Sequence, residues 1–110
     1  MGYTINGVEC ETDDEGFLVE AEFSDEAVQV IAAAEGIALS DAHWQVITYL
    51  RDKYRDDGHT PNFRNMVKEL EDTQPGPDWK QQLYDLFPNQ PARQACRVAG
   101  LTKPFGKGGY

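Results

Sequence analysis

The chain has 110 residues, of which 40% are hydrophobic, 11% aromatic and 26% charged. That length supports one domain around one core. A mean hydropathy of -0.60, with no apolar run near the roughly 20 residues that span a bilayer, excludes a membrane-embedded helix. The opening Met1-Gly2-Tyr3-Thr4-Ile5-Asn6-Gly7-Val8-Glu9-Cys10 has no basic n-region and no apolar h-region. It predicts no secretory signal peptide and a cytoplasmic setting. Cys10 and Cys96 are the only two cysteines, too few for a disulfide scaffold or a four-cysteine zinc site.

Against 10 Lys and Arg stand 19 Asp and Glu, a net charge of -9. Residues 1–60 hold 14 acidic and 3 basic side chains, and residues 61–110 hold 5 acidic and 7 basic. No acid follows Asp85, whereas Arg93, Arg97, Lys103 and Lys107 do. The acidic body argues against simple nonspecific DNA binding. The basic C-terminal segment suits docking on an acidic or anionic partner, although chance and solubility produce such patterns as well.

Asn6-Gly7 between short β-prone runs is a strong signal for a two-residue type I′ turn, which needs positive φ at both positions. A second turn at Asp13-Asp14-Glu15-Gly16 precedes Phe17-Leu18-Val19. Residues 1–22 therefore read as one or two β-hairpins, too small to stand alone. Ser24 caps a helix over 25–35, with Val28, Ile31 and Ala32 on its inner face and Gly36 closing it. Ser40 caps a longer helix over 41–57. Its buried stripe is His43, Val46, Ile47, Leu50 and Tyr54, and Gly58 ends it. Thr60-Pro61 reads as a cap followed by the first helical position, with Phe63, Met66, Val67 and Leu70 facing the core. A loop at 72–77 leads to a fourth helix marked by Trp79, Leu83 and Phe87 and stopped by Pro88. Pro91 starts a short fifth helix through about Ala99. Residues 100–110 read as a mobile arm. The whole is a mainly α (α+β) chain. It is one domain, with a helical core over 24–99 that resembles a helix-turn-helix, an N-terminal β-hairpin and a flexible C-terminal arm.

Few residues are placed for chemistry. His43 and His59 lie 16 positions apart with no nearby cysteine, so no metal site is expected. No phosphate loop, dinucleotide fingerprint or nucleophile elbow is present, so no cofactor is expected either. The helix after Gly58 carries Asn62, Arg64, Asn65 and Lys68. It is compatible with a recognition helix and equally with an ordinary solvated face. Cys10 lies among Glu9, Glu11, Asp13 and Asp14, which discourage thiolate formation. Cys96 shares a small apolar face with Ala92, Ala95 and Ala99 and is flanked by Arg93 and Arg97. Those cations favour the nucleophilic thiolate, while the apolar face suits a packed structural cysteine.

The C-terminal run is more specific. It reads Leu83-Tyr84-Asp85-Leu86-Phe87-Pro88, then Pro91-Ala92-Arg93-Gln94-Ala95-Cys96-Arg97-Val98-Ala99-Gly100-Leu101, then Lys103-Pro104. It resembles the signature of the DsrC/TusE family of sulfur-trafficking proteins, some of them called the gamma subunit of dissimilatory sulfite reductase. His43-Trp44 with Val46, Thr60-Pro61 and Asp14-Glu15-Gly16-Phe17-Leu18 resemble the same family, so the likeness spans nearly the whole chain. It implies a small helical bundle with a mobile arm, sulfur-transfer or sulfite-reductase proteins as partners, and at most a sulfur carrier rather than a stand-alone enzyme. In the family a penultimate arm cysteine accepts sulfur as a persulfide. Sulfite-reducing members pair it with an upstream cysteine, which Cys96 matches. The penultimate cysteine would fall 11 positions after Cys96, where this chain has Lys107. The first proline of the family's Leu-Pro-Lys-Pro is Thr102. The resemblance thus leaves Cys96 as the one candidate sulfur-reactive thiol, with Arg93, Arg97, Lys103 and Lys107 as candidate partner-binding cations. Its outcome is either residual thiol chemistry at Cys96 or a noncatalytic regulatory role. A helix-turn-helix-like nucleic-acid-binding regulator is the alternative.

Overall fold

The computed structural model describes residues 2–22, 24–58 and 60–102. The chain begins as a single antiparallel hairpin, β1 (Gly2–Ile5) with β2 (Val8–Glu11), in the register Gly2↔Glu11 through Ile5↔Val8. Asn6 at φ 53° and Gly7 at φ 78° form the expected turn. The second turn forms no further hairpin of named strands. It is a loop closed by one antiparallel bridge, Thr12↔Leu18. The Asp13 carboxylate accepts the Glu15 and Phe17 amides, at 2.9 and 3.1 Å.

Among the described residues five helices follow: α1 (Asp25–Ala34), α2 (Asp41–Asp57), α3 (Phe63–Thr73), α4 (Trp79–Leu86) and α5 (Pro91–Val98). Ser24 caps α1 by accepting the Ala27 amide at 3.2 Å. Gly36, at φ 75°, closes α1 with two backbone bonds, Gly36 N to Ala33 O and Ile37 N to Ala32 O, the pattern that satisfies orphan carbonyls at a helix end. At the start of α2, His43 takes the part a glutamate plays in a capping box. Its Nδ1 accepts the Ser40 amide at 3.0 Å, and its Nε2–H donates to the Leu86 carbonyl at 2.9 Å. Its edge meets the Phe87 ring with centroids 5.2 Å apart. The apolar-stripe histidine is thus a core histidine that joins α2 to the end of α4.

One helix start differs from expectation. Thr60 does not cap α3, and Pro61 is not its first residue. Asn62 is the cap, accepting the Asn65 amide at 2.9 Å. Thr60 is instead buried, and its hydroxyl is engaged with α5.

The core gathers Ile5, Phe17 and Leu18 from the N-terminal region, the inner faces of all five helices, and Leu101. The eight-residue α5 is its centre, touching α1, α2, α3 and α4. Its apolar positions are small (Ala92, Ala95, Ala99), which lets neighbouring backbones approach. Beyond α5, Gly100 takes φ 79°, and its carbonyl accepts the Glu22 amide at 2.8 Å. A Cβ there would lie 2.5 Å from the Glu22 carbonyl oxygen. The chain therefore passes the 20–22 segment at a spacing that only glycine permits. No described helix is long and apolar enough to cross a membrane.

Candidate functional site

Cys96 lies on the inner face of α5 and is fully buried. Its Sγ donates to Thr60 Oγ1 at 3.2 Å, across 36 residues of sequence. Three influences meet at the sulfur. Burial opposes the charged thiolate, whereas the Thr60 hydroxyl and the Arg93 and Arg97 charges favour it. Burial dominates, and the thiol is pushed up to about 11. The flanking arginines act in the direction their sequence position suggests, but weakly, because desolvation of a fully enclosed sulfur is the larger effect.

Arg93 and Arg97 both point back into the protein. Arg97 forms a two-pronged pair with Glu35, Nε to Oε2 at 2.9 Å and the terminal nitrogen to Oε1 at 3.1 Å. Arg93 pairs with Glu15. Their guanidinium carbons sit 5.4 and 5.3 Å from the centroid of the buried Phe17 ring, within range of cation–π attraction. The arginine side chains are only 12% and 11% exposed. Gln94 adds to the assembly, giving its amide to Glu35 at 2.8 Å and accepting the Asn89 backbone amide at 3.0 Å. Glu35 thus binds Arg97 and Gln94 at once. The cations flanking the cysteine fasten α5 to the end of α1 and to the 13–17 loop.

Of the arm expected over 100–110, Gly100, Leu101 and Thr102 are packed on the body, Leu101 fully buried, whereas Lys103, Lys107 and the other residues of 103–110 lie outside the described residues, as does His59. Thr102 is the last described residue. Its hydroxyl lies 3.1 Å from Tyr54 Oη on α2. Thr60, Thr102 and Glu35 were not legible as site residues, because each acquires its role from a partner far along the chain. The departure from the family's proline was the only sequence signal, and it pointed to Thr102. Cys10 is half-buried on β2, and both cysteines are free thiols. Among the described residues, no group of three His, Cys, Asp or Glu side chains could hold a metal ion.

The α2–α3 corner turns at Gly58, whose φ is 77°. Asn62, Arg64, Asn65 and Lys68 are all exposed on α3. The Asn62 side chain is spent on the cap, and the helix ends in Glu69, Glu71 and Asp72. Glu69 accepts the Tyr49 hydroxyl and lies 3.5 Å from Lys53.

Residues 4–106 match the family described as DsrC like protein. The chain is 42% identical over 103 residues to the sulfurtransferase TusE homolog of Haemophilus influenzae, covering 91% of this chain and 94% of that relative. It is 42% identical over 102 residues to sulfurtransferase TusE of Escherichia coli strain K12, with the same coverage. Among solved structures it superposes on the oxidised gamma-subunit of the dissimilatory sulfite reductase (DsrC) from Archaeoglobus fulgidus with a TM-score of 0.82 at 33% identity, covering 96% of this chain and 98% of that one. DsrC of Allochromatium vinosum gives a TM-score of 0.82 at 34% identity, with the same coverage. With the hairpin, the helix-turn-helix-like corner and a cysteine on α5 all in place, the chain belongs to the DsrC/TusE family.

Proposed function

We propose that this chain serves a sulfur-relay or sulfite-reductase pathway by binding the proteins of that pathway, without itself carrying sulfur. The carrying observation is the state of Cys96: fully enclosed, bonded to Thr60, with its thiol pushed up to about 11. At neutral pH a thiol of that acidity is almost wholly protonated, and the thiolate is the nucleophile that attacks a persulfide donor. The position at which the family accepts sulfur is Lys107 here, and an ammonium group forms no persulfide. What remains is a family-shaped body that occupies a carrier's place and so regulates flow through the relay. Arg93 and Arg97 serve this role by holding α5, while Lys103 and Lys107 supply the cationic charge that meets an anionic partner surface.

Intact mass spectrometry after incubation with a persulfide donor tests the reading. The parent protein is expected to gain no sulfur, and Cys96→Ser is expected to behave identically. Lys107→Cys is expected to gain one sulfur atom, because it restores the position at which the family carries it. A sulfur gain by the parent that disappears in Cys96→Ser would overturn the noncarrier role. If neither the parent nor the variant competes with a cysteine-bearing TusE-type carrier for its partners, the partner-binding role falls.

A further inference from the structure

The cations of this acidic chain are unevenly employed. Arg51, Lys53, Arg55, Arg93 and Arg97 each hold a carboxylate. Among the described residues, Arg64, Lys68 and Lys80 form no ion pair, and all three are exposed on α3 and α4. In a chain with 19 acids and 10 bases, three neighbouring cations with no carboxylate partner form a small basic cluster. Apolar surface lies beside them. The Phe63 and Tyr84 rings meet edge to face at 5.4 Å, and Tyr84 is 48% exposed. A cleft of about 250 Å³ opens here, lined by Phe63, Val67, Arg64 and Lys80. Each of the two helices gives it one cation, and Lys68 follows Arg64 by four residues, on the same flank of α3.

We propose that this α3–α4 face docks an acidic, amphipathic segment of a partner protein. An apolar side chain of that segment fills the cleft against Phe63 and Val67, and its carboxylates meet Arg64, Lys68 and Lys80. Charge complementarity selects the occupant. A net charge of -9 repels an acidic partner from most of the body, so these three cations, beside an apolar cleft, favour docking at this place and in this orientation. A nucleic-acid backbone is a poorer fit. It would be anchored by only three cations, two of them on a helix that ends in Glu69, Glu71 and Asp72, and its dense phosphate charge would face the acidic body. The inference rests on charge and shape at α3 and α4 and stands apart from the state of Cys96.

The test titrates the full chain, followed by amide NMR and fluorescence anisotropy, with a short synthetic helical peptide that carries leucines on one face and glutamates on the other. The controls are the same peptide with glutamines for glutamates, the same peptide with serines for leucines, and a DNA duplex. The Glu/Leu peptide is expected to shift amides of residues 63–68 and 80–84. Arg64→Glu with Lys80→Glu is expected to weaken it by about tenfold or more, with an unchanged thermal melt because both side chains are solvent-facing. If the charge reversals disturb folding, Arg64→Gln with Lys80→Gln carries the same expectation with a smaller loss. Equal binding of the glutamine or serine peptide, shifts elsewhere on the protein, or no binding would each overturn the proposal. So would tighter binding of the duplex at the same amides, or concentration-dependent shifts there without peptide, which would assign the face to nucleic acid or to a second copy.

Discussion

At Cys96 two effects act on one sulfur atom in opposite directions, and their balance has a pH signature. The thiol ordinarily titrates near 9.0 and is pushed up to about 11 in the fold, first by burial. Below pH 9 both folded and unfolded chains keep the proton, so the residue adds no pH dependence. Between about 9 and about 11 the unfolded chain releases the proton while the folded chain holds it, so stability falls as pH rises. Tyr49 acts with the same sign, since burial and its bond to Glu69 also raise its hydroxyl. Comparison with Cys96→Ala isolates the cysteine. From pH 8 to pH 10 the parent is expected to lose about 1 kcal/mol more than the variant, read from urea midpoints at the two pH values. Equal losses would mean that the sulfur is open to solvent.

Among the elements, two glycines that close helices share a positive φ and differ in surroundings. Gly36 and Gly100 have φ of 75° and 79°. A Cβ at Gly36 meets nothing within 4 Å, whereas one at Gly100 lies 2.5 Å from the Glu22 carbonyl oxygen. Gly36→Ala is expected to cost about 1–2 kcal/mol, the strain of a left-handed residue with a side chain. Gly100→Ala is expected to cost about 1–3 kcal/mol more, because the backbones must part. Thermal or urea melts of the two variants check the ordering. Near-equal costs would show that the 20–22 segment yields easily. Much at this scale was legible in the sequence. Ser24, Gly36, Ser40, Gly58 and Pro91 mark helix limits by chemistry that acts within a few residues, so reading them needs no fold. The start of α3 was not legible, because Thr60 is claimed by Cys96 from 36 residues away. Local capping rules cannot register that competition. The same holds for the candidate site. The position of Cys96 was readable, and its enclosure was not. Arg93 and Arg97 read as free cations because Glu15 and Glu35, which hold them, lie 78 and 62 residues away.

Over the whole molecule, charge opposes compactness. A net of -9 in a body with a Cα radius of gyration of 13.0 Å brings many carboxylates within one Debye length of each other at low ionic strength, where that length is roughly 30 Å at 0.01 M. Screening to about 8 Å at 0.15 M should relieve the repulsion. It weakens Arg93–Glu15 and Arg97–Glu35 less, because those arginines are mostly buried. The melting temperature is therefore expected to rise between 0.01 and 0.15 M salt, measured by calorimetry at constant pH. A fall would mean that surface pairs such as Arg55–Asp52 outweigh the excess of like charge.

The position of α5 also governs when the protein can be made whole. The helix that touches the four others is the last among the described residues, and its arginines reach back 78 and 62 residues to their partners. A growing polypeptide that has not yet emitted Pro91–Val98 has every other helix but nothing to fill the space among them. Trp79, Leu83, Met66 and Ile47, all fully enclosed in the finished fold, would stay wet. Assembly then cannot proceed stepwise from the N-terminus during translation. The core is therefore expected to close in one late event, once α5 has left the ribosome.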